Sequence, residues 1–231
     1  MRDETRPRAP GHPVRAVTTA VVAAAAVAIS GAAPANAETG TSNGRTYSVT
    51  TTSIDGATPD QLGNWDAKIA ELSGGDPAVE QAFNHASRAA AEEQVARAKT
   101  EGGQGEQWIF ASNGQVSFGS IAVAELILGT YYHGVHPTSY ISTVVIDSRS
   151  ATPITLTDLF ADGQAGLNRL SELTGAEPRT ENFVNWIPTA EGLEIHFVPY
   201  QFGIALPETK TVAWAALADL LAPGMAEIIQ A

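Results

Sequence analysis

An α+β fold with a mostly antiparallel sheet is predicted by three features of this 231-residue chain. Short runs rich in β-branched and aromatic residues alternate with Gly, Asn, Asp and Pro turns. One long amphipathic helix stands early among them, and only short helices follow. The order reads strand, helix, several strands, helix, strands, helix, which is not the alternation of a parallel β–α fold. No internal repeat is present.

Arg45 to Ile54 is dense in Thr, Ser and Val and reads as a strand ended by Asp55-Gly56. Glu38 to Gly44 before it is Gly/Ser/Thr-rich and reads as a flexible lead. Thr58 to Gly75 is mixed, with a short helix expected near Trp65 to Leu72. Asp76-Pro77 is a helix start, Asp as N-cap and Pro at the first helical position. Val79, Ala82, Phe83, Ala86 and Ala90 then recur at helical spacing, and Gly102-Gly103 closes the helix. Glu106 to Ser112 reads as a strand, Asn113-Gly114 as a tight hairpin turn. Gln115 to Tyr132 is apolar on both faces in its middle, which predicts a central strand covered on both sides. After the turn Gly134–Pro137, Tyr140 to Asp147 is a further strand. Ile154 to Phe160 predicts one helical turn, and Asp162 caps a helix carrying Leu167, Leu170 and Leu173 that ends at Gly175. Strands are expected at Val184–Pro188, Leu193–Val198 and Lys210–Ala213, with a terminal helix over Trp214–Leu221 stopped by Pro223.

The chain carries 13 Lys+Arg against 25 Asp+Glu, and four of the Arg lie in the first 37 residues. Arg2 to Arg15 form a positive n-region, Ala16 to Ile29 an apolar h-region of 14 residues, and Ala35-Asn36-Ala37 an A-x-A site. These predict a signal peptide over 1–37, cleaved after Ala37 by the general secretion route, and a secreted or cell-wall-associated product. The h-region is short for a bilayer span, and no later stretch is apolar enough to cross. The remaining 194 residues hold 9 basic and 23 acidic side chains, a net charge of −14. An acidic surface without basic runs excludes nucleic acid as a partner class. With no Cys, disulfides, thiolate metal sites and a cysteine nucleophile are excluded too.

The stretch Tyr131 to Phe160, with His133-Gly134-Val135-His136-Pro137, a strand ending in Asp147, and Ile154-Thr-Leu-Thr-Asp-Leu-Phe160, resembles the signature of the RsiV-like family. Gly192–Tyr200 and Thr209–Leu221 are similar to that family's final strand–loop–strand–helix. The resemblance covers roughly Gly114 to Pro223 and extends to the secreted immunogenic antigens of mycobacteria, which share a His-Pro turn. It implies an extracellular domain with a β-grasp-like sheet at 114–231, preceded by a strand–helix–strand region at 38–113. Founding members are lysozyme-sensing anti-sigma factors, so the resemblance implies a protein partner, lysozyme or a host or envelope component. With no sigma-binding segment or membrane span expected, signalling of the anti-sigma kind is not. Val135 replaces the small residue usual before the family's His. Some mycobacterial relatives are described as esterases.

Gly40-Thr41-Ser42-Asn43-Gly44 matches G-x-S-x-G, but that motif needs a buried strand turning sharply into a helix, and here a strand follows. His133 and His136 could ligate a metal, yet a site needs a third ligand, and His85 and His196 have no matching spacing. No metal or cofactor is expected. The esterase alternative would pair Ser139 or Thr138 with His136, oriented by Asp158 or Asp147. The other reading gives His136 a structural part in its turn. His196 alternates with Ile195 and Phe197 and reads as a partly exposed strand residue. The loop Pro199–Pro207 holds Tyr200, Phe202 and Ile204 without a charge, and is read either as a partner anchor or as a lid on the sheet. A secreted, non-catalytic binding protein using Tyr200, Phe202, Ile204 and His136 is the first reading. A weak carboxylesterase is the alternative.

Overall fold

Seven strands hydrogen-bond in chain order into one sheet, and three more form a second, smaller one. The computed structural model describes residues 38–102, 105–134 and 136–230. The expected signal peptide and cleavage site lie outside the described residues, as does Val135.

β1 (Glu38–Ser42) and β2 (Arg45–Ala57) form a hairpin closed at Asn43-Gly44. Both turn residues have positive φ, 48° and 69°, the primed geometry whose twist matches paired strands. This corrects the flexible lead expected at 38–44. The G-x-S-x-G letters are the end of a strand and its turn. Ser42 is buried, its hydroxyl 2.7 Å from that of Ser148 and bonded to the Ala122 carbonyl.

β3 (Gly63–Ser73) replaces the short helix expected at 65–72. It pairs antiparallel with β2 along ten residues. Ala, Lys, Glu and Leu give it a helical composition, but Ala67 and Ile69 are buried while Asp66 and Lys68 are exposed, and that period of two decides.

α1 (Pro77–Glu101) starts where expected, the Asp76 carboxylate accepting the Ala78 N–H at 2.9 Å. Val79, Phe83, Ala91, Val95 and Ala98 are its buried stripe. The helix is a crossover between β3 and β4 (Trp108–Phe118), which run parallel over Gly63–Ala67 and Trp108–Ser112; every other strand pair is antiparallel.

β4 continues straight through Asn113-Gly114, so the hairpin turn expected there is corrected. The boundary anticipated at 113/114 falls inside this strand. The chain turns instead at Gly119–Ile121, where the Gly119 N–H meets the Ala122 carbonyl. Gly114 has a different reason: a Cβ on it would stand 2.0 Å from a buried oxygen of Glu125.

β5 (Ala122–His133) is an inner strand covered on both faces, as expected, but the run from Gln115 is divided: Gln115–Phe118 belong to β4. Val123 and Tyr131 face α1, whereas Ala122, Ala124 and Leu126 join the core beneath the smaller sheet. β6 (His136–Asp147) pairs with β5 along its whole length, and β7 (Thr152–Pro153) covers only its last two residues.

α2 (Leu156–Leu159) begins with a full capping box between Thr155 and Asp158. α3 (Gly163–Thr174) is capped by Asp162 and ended by a left-handed Gly175. β8 (Trp186–Pro188), β9 (Gly192–Phe197) and β10 (Glu208–Ala213) make the smaller sheet in the order β10-β9-β8. Leu159, Leu170, Phe183, Leu193, Ile195, Phe197 and Leu217 are fully buried between it and the main sheet. The terminal helix expected over 214–221 is a single 3₁₀ turn, Trp214–Ala216, followed by further turns. There the Ala222 N–H bonds back to Leu159 and the Ala161 N–H to Leu220, so the backbone groups are satisfied by tertiary partners rather than by a helical ladder.

Candidate ligand groove along the edge of β6

Among the described residues, β6 has a neighbour on one side only until its last two residues. The direction of its free groups follows from parity. The Val145 carbonyl accepts the Ile154 N–H and the Asp147 carbonyl accepts that of Ala151, so odd-numbered residues turn their backbone away from β5. Ser139, Ile141 and Thr143 therefore present N–H and C=O groups outward. Among the described residues no hydrogen-bond partner takes them. Pro137 fits the same parity, since a residue without an N–H is tolerated where that group would face solvent.

Tyr140–Ile146 of β6 form the floor of a groove, and Ser139 lies just past its end. Its larger part, about 630 Å³, lies over Thr143–Ile146 between Ala86, Ala90 and Glu93 of α1 and Val184 and Trp186, and is closed at one end by residues 153–157, where Ile154 covers the edge at Val145. A second part, about 410 Å³, continues along Tyr140–Thr143 between Gln94 and Arg97 on one wall and Asn185 and Val198 on the other. Both volumes suit a ligand of several residues or one small molecule. The α1 wall is low because alanines build it. The opposite wall is apolar, with Val184 and Val198 left 54% and 39% exposed. Thr143 fastens this wall, accepting the Trp186 N–H at 3.1 Å and bonding the Val184 carbonyl.

The end beside Arg97 is held by a cluster of contacts. The Arg97 guanidinium lies 4.3 Å above the Tyr140 ring and pairs with Glu101, to which the Tyr140 hydroxyl also donates. Burial and the Glu101 carboxylate raise the Tyr140 pKa, leaving the phenol protonated. Burial pushes Glu101 up, but the hydrogen bonds from Tyr140 and Arg97 outweigh it and hold its pKa below the usual value. Tyr131 stacks on Tyr140 and on His133, whose ring meets Glu106 at the surface.

The residues of the esterase alternative are not brought together. His136 opens β6; its side chain lies outside what is described. Ser139 stands three residues on. Asp158 caps α2 beyond Ile154, which pairs with Val145, six strand residues or roughly 20 Å past Ser139. Asp147 lies further still, held by Arg149 through two short contacts. Burial raises the Asp147 pKa, but Arg149 more than offsets it and leaves the carboxylate below its usual range. Among the described residues no three His, Asp or Glu side chains gather as metal ligands.

His196 is buried, which corrects the expectation of a partly exposed ring. Thr209 lies 3.2 Å from its Nδ1, and Glu194 2.9 Å from its Nε2 but off the N–H axis. Burial depresses its pKa and the Glu194 charge opposes that shift only in part.

The loop after β9 divides. Phe202 folds back edge-on against Phe197, 4.9 Å between ring centres, with the Lys210 ammonium above it. Tyr200, Ile204 and Leu206 stay exposed. Tyr200 has a φ of 69°, held by a tight turn in which its N–H meets the Ile204 carbonyl.

Two solved structures are similar to this chain in fold. Both are DUF3298 family proteins. The one from Bacteroides fragilis aligns with a TM-score of 0.51 at 12% identity, covering 80% of this chain and 98% of its own. The one from Pseudomonas aeruginosa gives 0.52 at 13%, covering 77% and 95%. At these identities the likeness concerns the fold. No family model matches the sequence, and neither does any curated protein. No helix among the described residues is long and apolar enough to cross a membrane.

The free edge of β6 is the feature that sequence reasoning missed. Pro137 was the available signal, because proline within a strand marks an edge.

Proposed function

We propose that the chain is an exported, non-catalytic binding domain of RsiV-like type that holds a protein partner in the groove beside β6. The groove with its unpaired backbone edge is the observation that carries this reading. Three further points support it: the RsiV-like resemblance between Gly114 and Pro223, the DUF3298-type fold, and a net charge of −14 after residue 37 that steers cationic partners. Lysozyme is the cationic candidate that the resemblance supplies. The exposed Tyr200 and Ile204 extend the contact surface beyond Val198.

Calorimetric titration of the chain with lysozyme at low ionic strength tests the reading. Binding is expected, weakening at least tenfold in Ala90→Arg, which fills the groove. Binding that ignores Ala90→Arg would remove the groove from the account, and no binding would remove lysozyme. Equal turnover of a p-nitrophenyl ester by wild type, Ser139→Ala and His136→Ala is expected of a non-catalytic protein. Loss of turnover in either variant would restore the esterase alternative.

A further inference from the structure

We infer that the groove accepts an extended peptide strand from a partner protein, added to the free edge of β6, in which apolar and basic side chains alternate. The inference rests on the groove reading and names its occupant.

The backbone sets the first requirement. Ser139, Ile141 and Thr143 offer an N–H and a C=O each, two residues apart, which is the repeat of an antiparallel or parallel strand and of no other ligand geometry. From Ser139 to Thr143 the edge runs roughly 13 Å, enough for a segment of about five residues. Unlike many free edges it is not guarded by lysine: no Lys lies between Lys99 and Lys210, and β6 has no Asp, Glu, Lys or Arg before Asp147.

The walls set the second requirement. Side chains of an added strand alternate between them. One set meets Val184, Val198 and the half-buried Ile141, an apolar surface. The other meets Ala90 and Glu93 of α1 and, further along, Gln94 and Arg97, whose guanidinium is paired with Glu101. Glu93 is exposed, and among the described residues no cation lies within ion-pair distance of it, whereas Glu92 and Glu101 on the same helix are each paired with an arginine. A Lys or Arg placed opposite Glu93 would find an unshared carboxylate beside Ala86 and Ala90. The acidity of the chain favours the same sign.

The test uses two capped hexapeptides, alternating Val-Lys and alternating Val-Glu, titrated into the isotope-labelled full chain. The Val-Lys peptide is expected to bind and to slow hydrogen exchange at the Ser139, Ile141 and Thr143 amides. Ser139→Pro removes one outward N–H without touching the ladder to β5, and is expected to weaken the peptide about tenfold, whereas Ser139→Ala leaves it unchanged. Glu93→Lys is expected to reverse the preference toward the Val-Glu peptide. If Ala90→Arg blocks the peptide but Ser139→Pro does not, the groove binds and strand addition is wrong. If neither variant matters, the groove reading falls with it. If the Val-Lys peptide fails to protect the three amides at millimolar concentration, strand addition is overturned while lysozyme binding still decides the broader function.

Discussion

Two strand edges in this protein face the same difficulty and resolve it differently. Past Ala67, β3 leaves β4, and its N–H and C=O groups at Ala70 and Leu72 lose a strand partner. Side chains take three of these four: the Glu125 carboxyl accepts the Ala70 N–H at 3.1 Å, and the Asn84 amide bonds both the N–H and the C=O of Leu72. That edge lies under α1, away from water, where an unmet group costs about 1–3 kcal/mol. The edge of β6 borders an open groove and is left unmet. Closure by buried side chains marks structure; an edge left open between two walls is where our proposal puts another chain.

The sharpest way to break this comparison is a pair of prolines. Ala70→Pro removes the N–H held by Glu125 and is expected to cost about 3 kcal/mol or more. Ser139→Pro removes an unused one and is expected to cost under about 1 kcal/mol, both read from urea unfolding. Equal costs would erase the distinction between the edges. Next comes Gly114→Ala. Its Cβ would meet the Glu125 oxygen at 2.0 Å, so a loss of about 2 kcal/mol is expected, and a neutral result would show that the closed edge is not close-packed. Asn84→Ala leaves both Leu72 groups unmet and is expected to cost about 2 kcal/mol.

Glu125 gives the smallest effect and the most specific. It is fully buried, and only one of its oxygens has a partner. Burial raises its pKa from the ordinary 4.5, against the lowering effects of Ser87 and the Ala70 N–H. A carboxyl with a raised folded pKa contributes fully below its unfolded value, and its contribution is lost as pH rises through the folded value. Glu125→Gln keeps an acceptor for Ala70 and is never charged. It is expected to stabilise the protein by roughly 1 kcal/mol at neutral pH and by much less at pH 4. A gain that does not depend on pH would refute the assignment.

Much of this fold was legible in the sequence where local chemistry and tertiary demand agree. Asp76-Pro77, Asp162 and Gly175 bounded their helices because capping is settled within a few residues. β5 declared itself an inner strand because both its faces are apolar. The readings failed where a distant partner decides. Asn113-Gly114 has the letters of a hairpin turn, but its glycine is there for Glu125, eleven residues away. β3 has a helical composition and is held as a strand by β2. The lead at 38–44 reads as a linker until Ser42 meets Ser148. Outside the groove, the exposed Tyr200 and Ile204 could be named from the loop's composition. The open edge could not, because it consists of backbone groups whose availability depends on which strands are absent beside them.

Hydrogen exchange along β6 in the free protein tests the central claim most directly. Fast exchange at Ser139, Ile141 and Thr143, alternating with protection at Thr138, Tyr140 and Ser142, is the expected result. Uniform protection along the strand would contradict an open edge.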